Sequence, residues 1–302
     1  MTLDQLRIFV AVAEREHMTR AARHLKLTQS GVSAAIAMLE SQCATPLFDR
    51  IGRQIRLTDA GRVLLQEAQD ILARVEAAKA ALAEIDGLQR GTLRLRASLT
   101  IAGYWLPKHL VRFSRAYPRI AVQLGIANTA NVAKAVLDGD AEIGFVEGEV
   151  SDPLLRQQIV ATDEMVVVVA GRHKLAQHKR IAPDDLKNLK WVLREDGSGT
   201  RSVFETALRG MGIGLSDLDV ALELPSNEAI KAAVAAGAGA TAISRSVVGA
   251  DLANGTLKRL PLTLPLPRRA YSALYHRDRS RSRMARALLA MIAGEPPATT
   301  GR

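Results

Sequence analysis

The side chains able to do chemistry fall into two groups. Near the N-terminus, Thr28, Gln29, Ser30 and Ser33 crowd the start of an apolar-periodic segment, and Arg50, Arg53 and Arg56 recur soon after. A glutamine amide pairs with an adenine edge, a hydroxyl meets a base or a phosphate, and spaced guanidinium groups neutralise phosphates. In the remainder, hydroxyls and glycines collect at strand ends. Ser98 and Thr100 lie at the end of TLRLRAS, and Asp196-Gly197-Ser198-Gly199-Thr200 follows WVLRE. The glycines let backbone approach a ligand, while free N–H groups and hydroxyls favour an anion. This is not a nucleotide-phosphate loop, because Arg201 follows Thr200 and no Gly-Lys-Ser/Thr is present. One such segment reads equally well as a capped turn; two, from separate parts of the chain, favour a ligand cleft. Glu147-Gly148 and Ser226-Asn227 also follow strands, and for them ordinary caps and turns stay open beside ligand contact.

Covalent and metal chemistry finds little support. Ser198 lacks the G-x-S-x-G elbow of a serine nucleophile, and no histidine is assignable to it. His173 and His178 are five apart, outside the i, i+4 spacing of a helical metal pair. Cys43 is the only cysteine, which excludes an internal disulfide and any multi-cysteine metal site. It reads as a small packing residue in preference to a redox sensor. No enzyme activity, metal or cofactor is expected.

The elements that must position the first group are short helices. Leu3, Leu6, Phe9, Val10 and Val12 outline a helix ending near Glu16; Thr19 caps a second helix, and Thr28 a third running to about Gln42. On the third helix Val32, Ile36 and Leu39 face the core, leaving Gln29, Ser30, Ser33, Ala34 and Ala37 outward. Two short helices around a tight turn, the second small and polar outside, fit a helix-turn-helix. LFDRIGRQIRLTDAG then forms two strands around Gly52, a basic wing suited to phosphates or a minor groove. From Asp59 to Asp86 no proline intervenes, and Gly61, Leu64, Ala68, Ile71, Val75, Ala78, Leu82 and Ile85 make a heptad seam. Such a stripe exceeds what a sixty-residue head covers, so it is expected to pair with its copy in a second chain.

From Gly91 onward strands alternate with helices, predicting mainly parallel α/β sheets in two lobes with a cleft between them. A helix is expected from about Tyr104 to Tyr117. The second lobe is expected to start near Asp163 and end near LPLTLPLPRR, after which RAYSALYHR returns to the first. The chain has 302 residues, 48% hydrophobic, with formal net charge +10. The last 35 residues hold eight Lys+Arg against two Asp+Glu, a run read as solvated surface. The tail GEPPATTGR is expected to be disordered. No bilayer-length apolar run and no secretory signal are evident, so a cytoplasmic location is expected. A free-standing solute-binding protein or sensor without a gene-regulatory role would explain residues 91–302 but leaves the head unexplained.

LDQLRIFVAVAE, TRAARHLKLTQSGVSAAIAMLE and PLFDRIGRQIRLTDAG together resemble the winged helix-turn-helix of LysR-type transcriptional regulators. ASLTIAGYWLPKHLVRFSRAYPRI, IGFVEG, REDGSGTRSVFETAL and ELPSNEAIKAAVAAGAGATAISR are similar to that family's effector domain, itself like periplasmic binding proteins, and look most like the branch regulating CO2 fixation and sulfur assimilation. The resemblance implies a DNA-binding head over 1–58, a dimerising linker helix over 59–87 and an effector-binding domain over 88–302. Lobe I would cover about 91–162 and 269–293, and lobe II about 163–268. Thr28, Gln29, Ser30, Ser33, Arg50, Arg53 and Arg56 would then meet pseudo-palindromic double-stranded DNA. Ser98, Thr100, Glu147, Ser198, Gly199, Thr200, Arg201 and Asn227 would line the cleft for a small, anionic metabolite. A homodimer, a homotetramer and RNA polymerase are the implied protein partners. The family usually has Pro or Ala where this chain has Ser30, and often Gln or Arg at Ala34 or Ala35. Base preference is therefore expected to lean on Gln29, Ser33, the wing and DNA shape.

Overall fold

Thr2 opens the first helix through a reciprocal cap: the Gln5 N–H donates to Thr2 Oγ1 at 3.2 Å, and the Thr2 N–H donates to Gln5 Oε1 at 2.8 Å. In this computed structural model residues 1–51, 54–83 and 91–294 are described, without the side chains of residues 50, 51, 54, 76, 77 and 79–83. The chain divides into two units, Met1–Ile85 and Asp86–Arg302.

In the first unit α1 (Leu3–Arg15), α2 (Met18–Leu25) and α3 (Gln29–Cys43) precede a hairpin of β1 (Phe48–Ile51) and β2 (Gln54–Leu57), then α4 (Asp59–Ala83). The second helix starts one residue before Thr19, behind His17, and its cap makes no side-chain hydrogen bond. Lys26 ends it in the left-handed region at φ 56°, which turns the chain sharply toward Thr28, the N-cap of α3. Phe9, Val12, Ala21, Val32 and Leu39 are fully buried in the shared core. Glu40 ties the wing to α3, accepting from the N–H groups of Leu47 at 2.8 Å and Phe48 at 3.1 Å.

Part of α4 belongs to this core. Ala68 is fully buried, and Leu64 and Ile71 are partly buried against the same cluster. A Cβ on Gly61 would come within 2.1 Å of the Leu47 carbonyl oxygen, so the glycine lets α4 leave the wing at close quarters. The N-terminal half of the heptad seam is thus covered within its own chain by the head's core. Val75 is half-buried and Ala78 exposed; the Leu82 side chain and Ile85 lie outside the described residues. Cys43 is exposed at the end of α3, not packed as expected.

The second unit opens with β3 (Gly91–Ser98), α5 (Leu99–Tyr104) and α6 (Leu106–Ala116). One helix was expected here; the chain breaks at Trp105, whose dihedrals are non-helical, just ahead of Pro107. Next come β4 (Ile120–Ala127), α7 (Thr129–Leu137), β5 (Ile143–Glu147) and the sixteen-residue β6 (Leu155–Ala170). Then follow β7 (Lys190–Arg194), α8 (Gly199–Gly210), β8 (Asp219–Leu224), α9 (Asn227–Ala236), β9 (Thr241–Ser244), α10 (Arg245–Ala253), β10 (Leu257–Arg259), β11 (Arg268–His276) and α11 (Arg283–Ala293).

The main sheet runs β10-β6-β11-β5-β3-β4, with β9 also on β6. It is mixed, not mainly parallel: β3 pairs with β4 and β5 in parallel, whereas β6 and β11 pair antiparallel with each other and with every other neighbour. The long β6 passes from one lobe to the other. Leu155–Glu164 pair with β11, and from Met165 the strand pairs with β9 and then β10. The apolar run MVVVVA marks only its second half, because Gln157, Gln158 and Ile159 are exposed and show no buried face. Leu93, Leu95, Phe113, Phe145 and Leu288 centre the first lobe's core; Trp191, Phe204 and Leu208 centre one in the second.

Candidate functional site

Residues from four distant segments converge where the lobes meet. Ser98 caps α5 at the end of β3, and Thr100 sits in that helix's first turn, fully buried. From the other lobe, Asn227 at the start of α9 donates through Nδ2 to Thr100 Oγ1 at 3.2 Å. Its Oδ1 accepts from Arg194 Nη1 at 3.2 Å, and Arg194 is held in turn by both carboxylate oxygens of Glu195. A hydroxyl, an amide and a guanidinium therefore form one chain across the junction.

A second chain lies beside it. Thr200 Oγ1 donates to Glu147 Oε1 at 3.3 Å and accepts from Arg269 Nη1 at 3.0 Å. Arg269 Nε donates to Asp163 Oδ2 at 2.8 Å, and Asp163 Oδ1 accepts from the Ser244 hydroxyl at 2.9 Å. Arg269, Glu147 and Asp163 are all nearly inaccessible to solvent. Burial works against the Arg269 charge, yet Glu147 and then Asp163 outweigh it and raise its pKa. Burial pushes the neighbouring Tyr271 hydroxyl up to about 12, although Arg269 pulls the other way. Among the described residues, no hydrogen-bond partner is found for the buried Ser98 Oγ, Ser272 Oγ and Glu147 Oε2. Unmet polar groups at a buried floor are a site's demand for water or ligand.

Gly199 shows why the loop has its composition. A Cβ there would lie 2.2 Å from the Glu147 carbonyl oxygen and 2.5 Å from Thr129 Oγ1, so only glycine lets α8 start against the end of β5. A pocket of about 320 Å³ opens beside this contact, lined by Thr129, Gly148, Asp196, Ser198 and Arg201 among others. Arg201 is engaged by Glu205 at 2.8 Å and by Glu223; burial opposes its charge, but these two carboxylates prevail and raise its pKa. At the far mouth, the Tyr104 hydroxyl of one lobe donates to Glu228 of the other, and Lys231 joins Glu228 to Asp251.

The sequence-derived set thus splits three ways. Thr100 is bonded to Asn227 and Thr200 to Glu147 in two adjacent chains, Ser98 and Ser198 are buried nearby, and Arg201 stands on the pocket wall. Arg194, Asp163, Ser244 and Arg269 were missed. Arg269 lay inside the basic run read as solvated surface, and that reading fails for it. Tyr271 and Ala273 lie on its face of the strand, but Ser272 and Leu274 on the other face are buried as well, so no alternation marks Arg269 in the sequence. Arg279 of the same run donates to the carbonyls of Val136 and Leu137, closing the end of α7.

In the head, Thr28 Oγ1 accepts from the Gly31 N–H at 3.1 Å and from the Ser30 hydroxyl at 3.3 Å. Gln29 is exposed, Ser33 half-buried and Arg56 exposed on β2. Arg50 lies on β1, and Arg53 is outside the described residues. Among the described residues no cluster of His, Cys, Asp or Glu is fit to hold a metal, and no helix is long and apolar enough to cross a membrane.

Comparison with known proteins places both units. The bacterial regulatory helix-turn-helix protein, lysR family, matches residues 3–62, and the LysR substrate binding domain matches residues 86–296. The chain is 36% identical over 292 residues to the uncharacterized HTH-type transcriptional regulator YeiE of Escherichia coli K12, covering 96% of each. It is 35% identical over 291 residues to a probable RuBisCO transcriptional regulator of Synechocystis, covering 95% of this chain and 84% of that one. The Synechocystis CcmR regulatory domain, solved in complex with 2-PG, matches 68% of this chain and 97% of its own at 26% identity and TM-score 0.63. These relatives are regulators, not enzymes, and they include the CO2-fixation branch whose motifs the chain resembles. A helix-turn-helix head joined to a two-lobed α/β effector domain, matched by both family models, makes this chain a member of the LysR family of DNA-binding transcriptional regulators.

Proposed function

We propose that a small metabolite binds between the lobes, on the floor formed by Ser98, Thr100, Glu147, Ser198, Gly199, Thr200 and Asn227, with Arg201 at the wall. The observation that carries this reading is the Asn227–Thr100 bridge, a side-chain hydrogen bond from one lobe to the other that lies against buried, unmet hydroxyls. A ligand that occupies this floor changes the balance between lobe closure and opening, so binding becomes a population shift. The pocket wall carries Glu149, Asp196 and Glu205 beside Arg201. An anionic effector therefore sits deeper, where the N-termini of α8 and α9 and the hydroxyls converge.

The head, paired with a second copy through the C-terminal half of α4, presents two copies of α3 to a pseudo-palindromic site. Thr28, Gln29, Ser30, Ser33, Arg50, Arg53 and Arg56 make the DNA contacts, with phosphates taken by the wing. Two such dimers form a tetramer inside the cell, and effector binding alters the spacing or bend of the DNA it holds, changing access for RNA polymerase. The test is selection of sites from random duplex DNA by the purified chain, with and without pooled metabolites, followed by footprinting. A symmetric motif whose footprint or bend changes with one metabolite supports the reading. A motif unaffected by every compound that binds the cleft overturns the coupling.

A further inference from the structure

The segment from Leu260 to Pro267 has leucine at every second position and proline at 261, 265 and 267, and it takes no part in the floor between the lobes. It joins β10 to β11, and both of these strands pair with β6: β11 as far as Glu164, β10 from Val168 onward. Met165, Val166 and Val167 between them pair with β9. The connecting segment starts as if to continue β10, with the Leu260 N–H donating to the Val167 carbonyl at 2.9 Å. Pro261 has no N–H to extend that ladder. Its carbonyl accepts instead from the Ile181 N–H at 3.0 Å, and the Thr263 N–H donates to the Ile181 carbonyl at 2.9 Å. The chain therefore swings away from β6 and leaves a cavity of about 410 Å³ over it. Met165, Val167, Leu260 and Leu266, all buried in one core cluster, give this cavity apolar walls. The polar side chains on its lining are His178 and Arg259, both exposed, and no lining residue is acidic. Arg259 shares the Glu164 carboxylate with Arg245, at 2.7 and 2.9 Å, so two guanidinium charges meet one carboxylate and positive charge is left over. The pocket between the lobes is the reverse, with Glu149, Asp196 and Glu205 on its wall.

We propose that this cavity is a second ligand site, separate from the floor at Thr100, and that it takes a monocarboxylate with a short alkyl chain. The chain lies on Met165 and Val167 beneath the leucine-proline segment, and the carboxylate sits at the mouth with Arg259 and His178. Methylenes ask for no hydrogen bond from walls that have none to give, and they gain by leaving water. A polar body would lose its hydration there without return. At the mouth, a guanidinium matches a carboxylate in shape and charge, whereas an alkyl ammonium would meet like charge. The thioether of Met165 is flexible enough to follow chains of different length.

The experiment titrates octanoate, as the probe, into full-length protein labelled with carbon-13 at its methionine methyl groups, with Met165→Leu identifying the Met165 signal. That signal is expected to shift and saturate. Each buried methylene is worth about fourfold in affinity, so hexanoate is expected to bind about fifteenfold more weakly than octanoate. Arg259→Gln is expected to weaken octanoate about threefold and to leave octanol unchanged. Leu262→Trp, which fills the cavity from the connecting segment, is expected to abolish octanoate binding in calorimetry. A Met165 methyl that stays still at millimolar octanoate overturns the proposal. So does octanoate binding that survives Leu262→Trp, since the ligand then lies elsewhere, the floor between the lobes included. Octanol bound by the wild type as tightly as octanoate overturns the assignment of a carboxylate.

Discussion

The exposed face of α3 and the floor between the lobes are built on opposite plans. On α3 the working side chains are short, open to solvent and barely connected to one another; what is fixed is the helix beneath them, by Thr28 at its start and by Val32, Ile36 and Leu39 along its back. Between the lobes the charged side chains Arg194, Arg269, Glu147 and Asp163 are buried and bonded to hydroxyls, an amide and one another from different segments. One surface waits for a large polyanion and keeps its own bonding slight. The other encloses its ligand, holding its charged groups in advance and leaving a few buried polar atoms for the ligand to meet. Energy is therefore concentrated at the cleft and geometry at the head.

Removing Arg269 tests the first half of that contrast most severely. Arg269→Met leaves Glu147 and Asp163 buried without their counter-charge, and the expected loss is about 3–5 kcal/mol. Trp105 and Trp191, the chain's two tryptophans, both lie in the effector unit, so urea unfolding followed by tryptophan fluorescence reads this loss directly. A midpoint unchanged from wild type would mean that the network is not worth what its burial demands. In the head, Ile36→Ala hollows the support of α3 and is expected to cost about 2–5 kcal/mol. It should abolish DNA retention in a gel while leaving the tryptophan transition where it was; a shift of that transition would show that the two units do not unfold separately. Thr100→Val removes the acceptor for Asn227 without changing shape, at an expected cost of about 1–3 kcal/mol. Calorimetric titration with the identified effector should register weaker binding, while operator affinity in the effector's absence stays the same.

What the sequence disclosed follows the same division. The helices and wing of the head were legible because apolar spacing of three and four, an N-cap threonine and Gly52 between strands are local signals. Ser98, Thr100, Glu147, Thr200 and Asn227 were legible as strand ends, a rule of α/β sheets that needs no knowledge of partners. Arg269 and Asp163 were not. Each sits on a strand whose pairing partner is 106 residues away, and a charged residue announces burial only through that pairing. The first half of β6 escaped for a related reason: it is an exposed stretch held by β11, with no apolar pattern of its own. The heptad seam of α4 read truly as apolar but did not say which part of it the head covers, since periodicity records that a stripe is buried and not against what.

The mildest test concerns the clasp at the mouth of the cleft, which shares the exposure of α3 and the cross-lobe pairing of the floor. Tyr104 donates to Glu228, and the hydrogen bond from Tyr104 is the chief cause that holds the Glu228 carboxyl below its usual range, with Lys231 adding to it and partial burial opposing. A carboxyl depressed in the folded state contributes stability above the unfolded titration, near about pH 4.3, and that contribution disappears as pH falls through the lower folded value. The Glu228 side chain is 66% exposed, so solvent screens the interaction and Tyr104→Phe is expected to cost under about 1 kcal/mol at neutral pH. The difference between wild type and Tyr104→Phe should hold steady from about pH 6 to 8 and narrow below about pH 4, as Glu228 takes up a proton in both. Urea midpoints across that range measure it. A difference that stays constant down to acid would separate the hydroxyl's role from the charge on Glu228 and remove the carboxylate from the clasp.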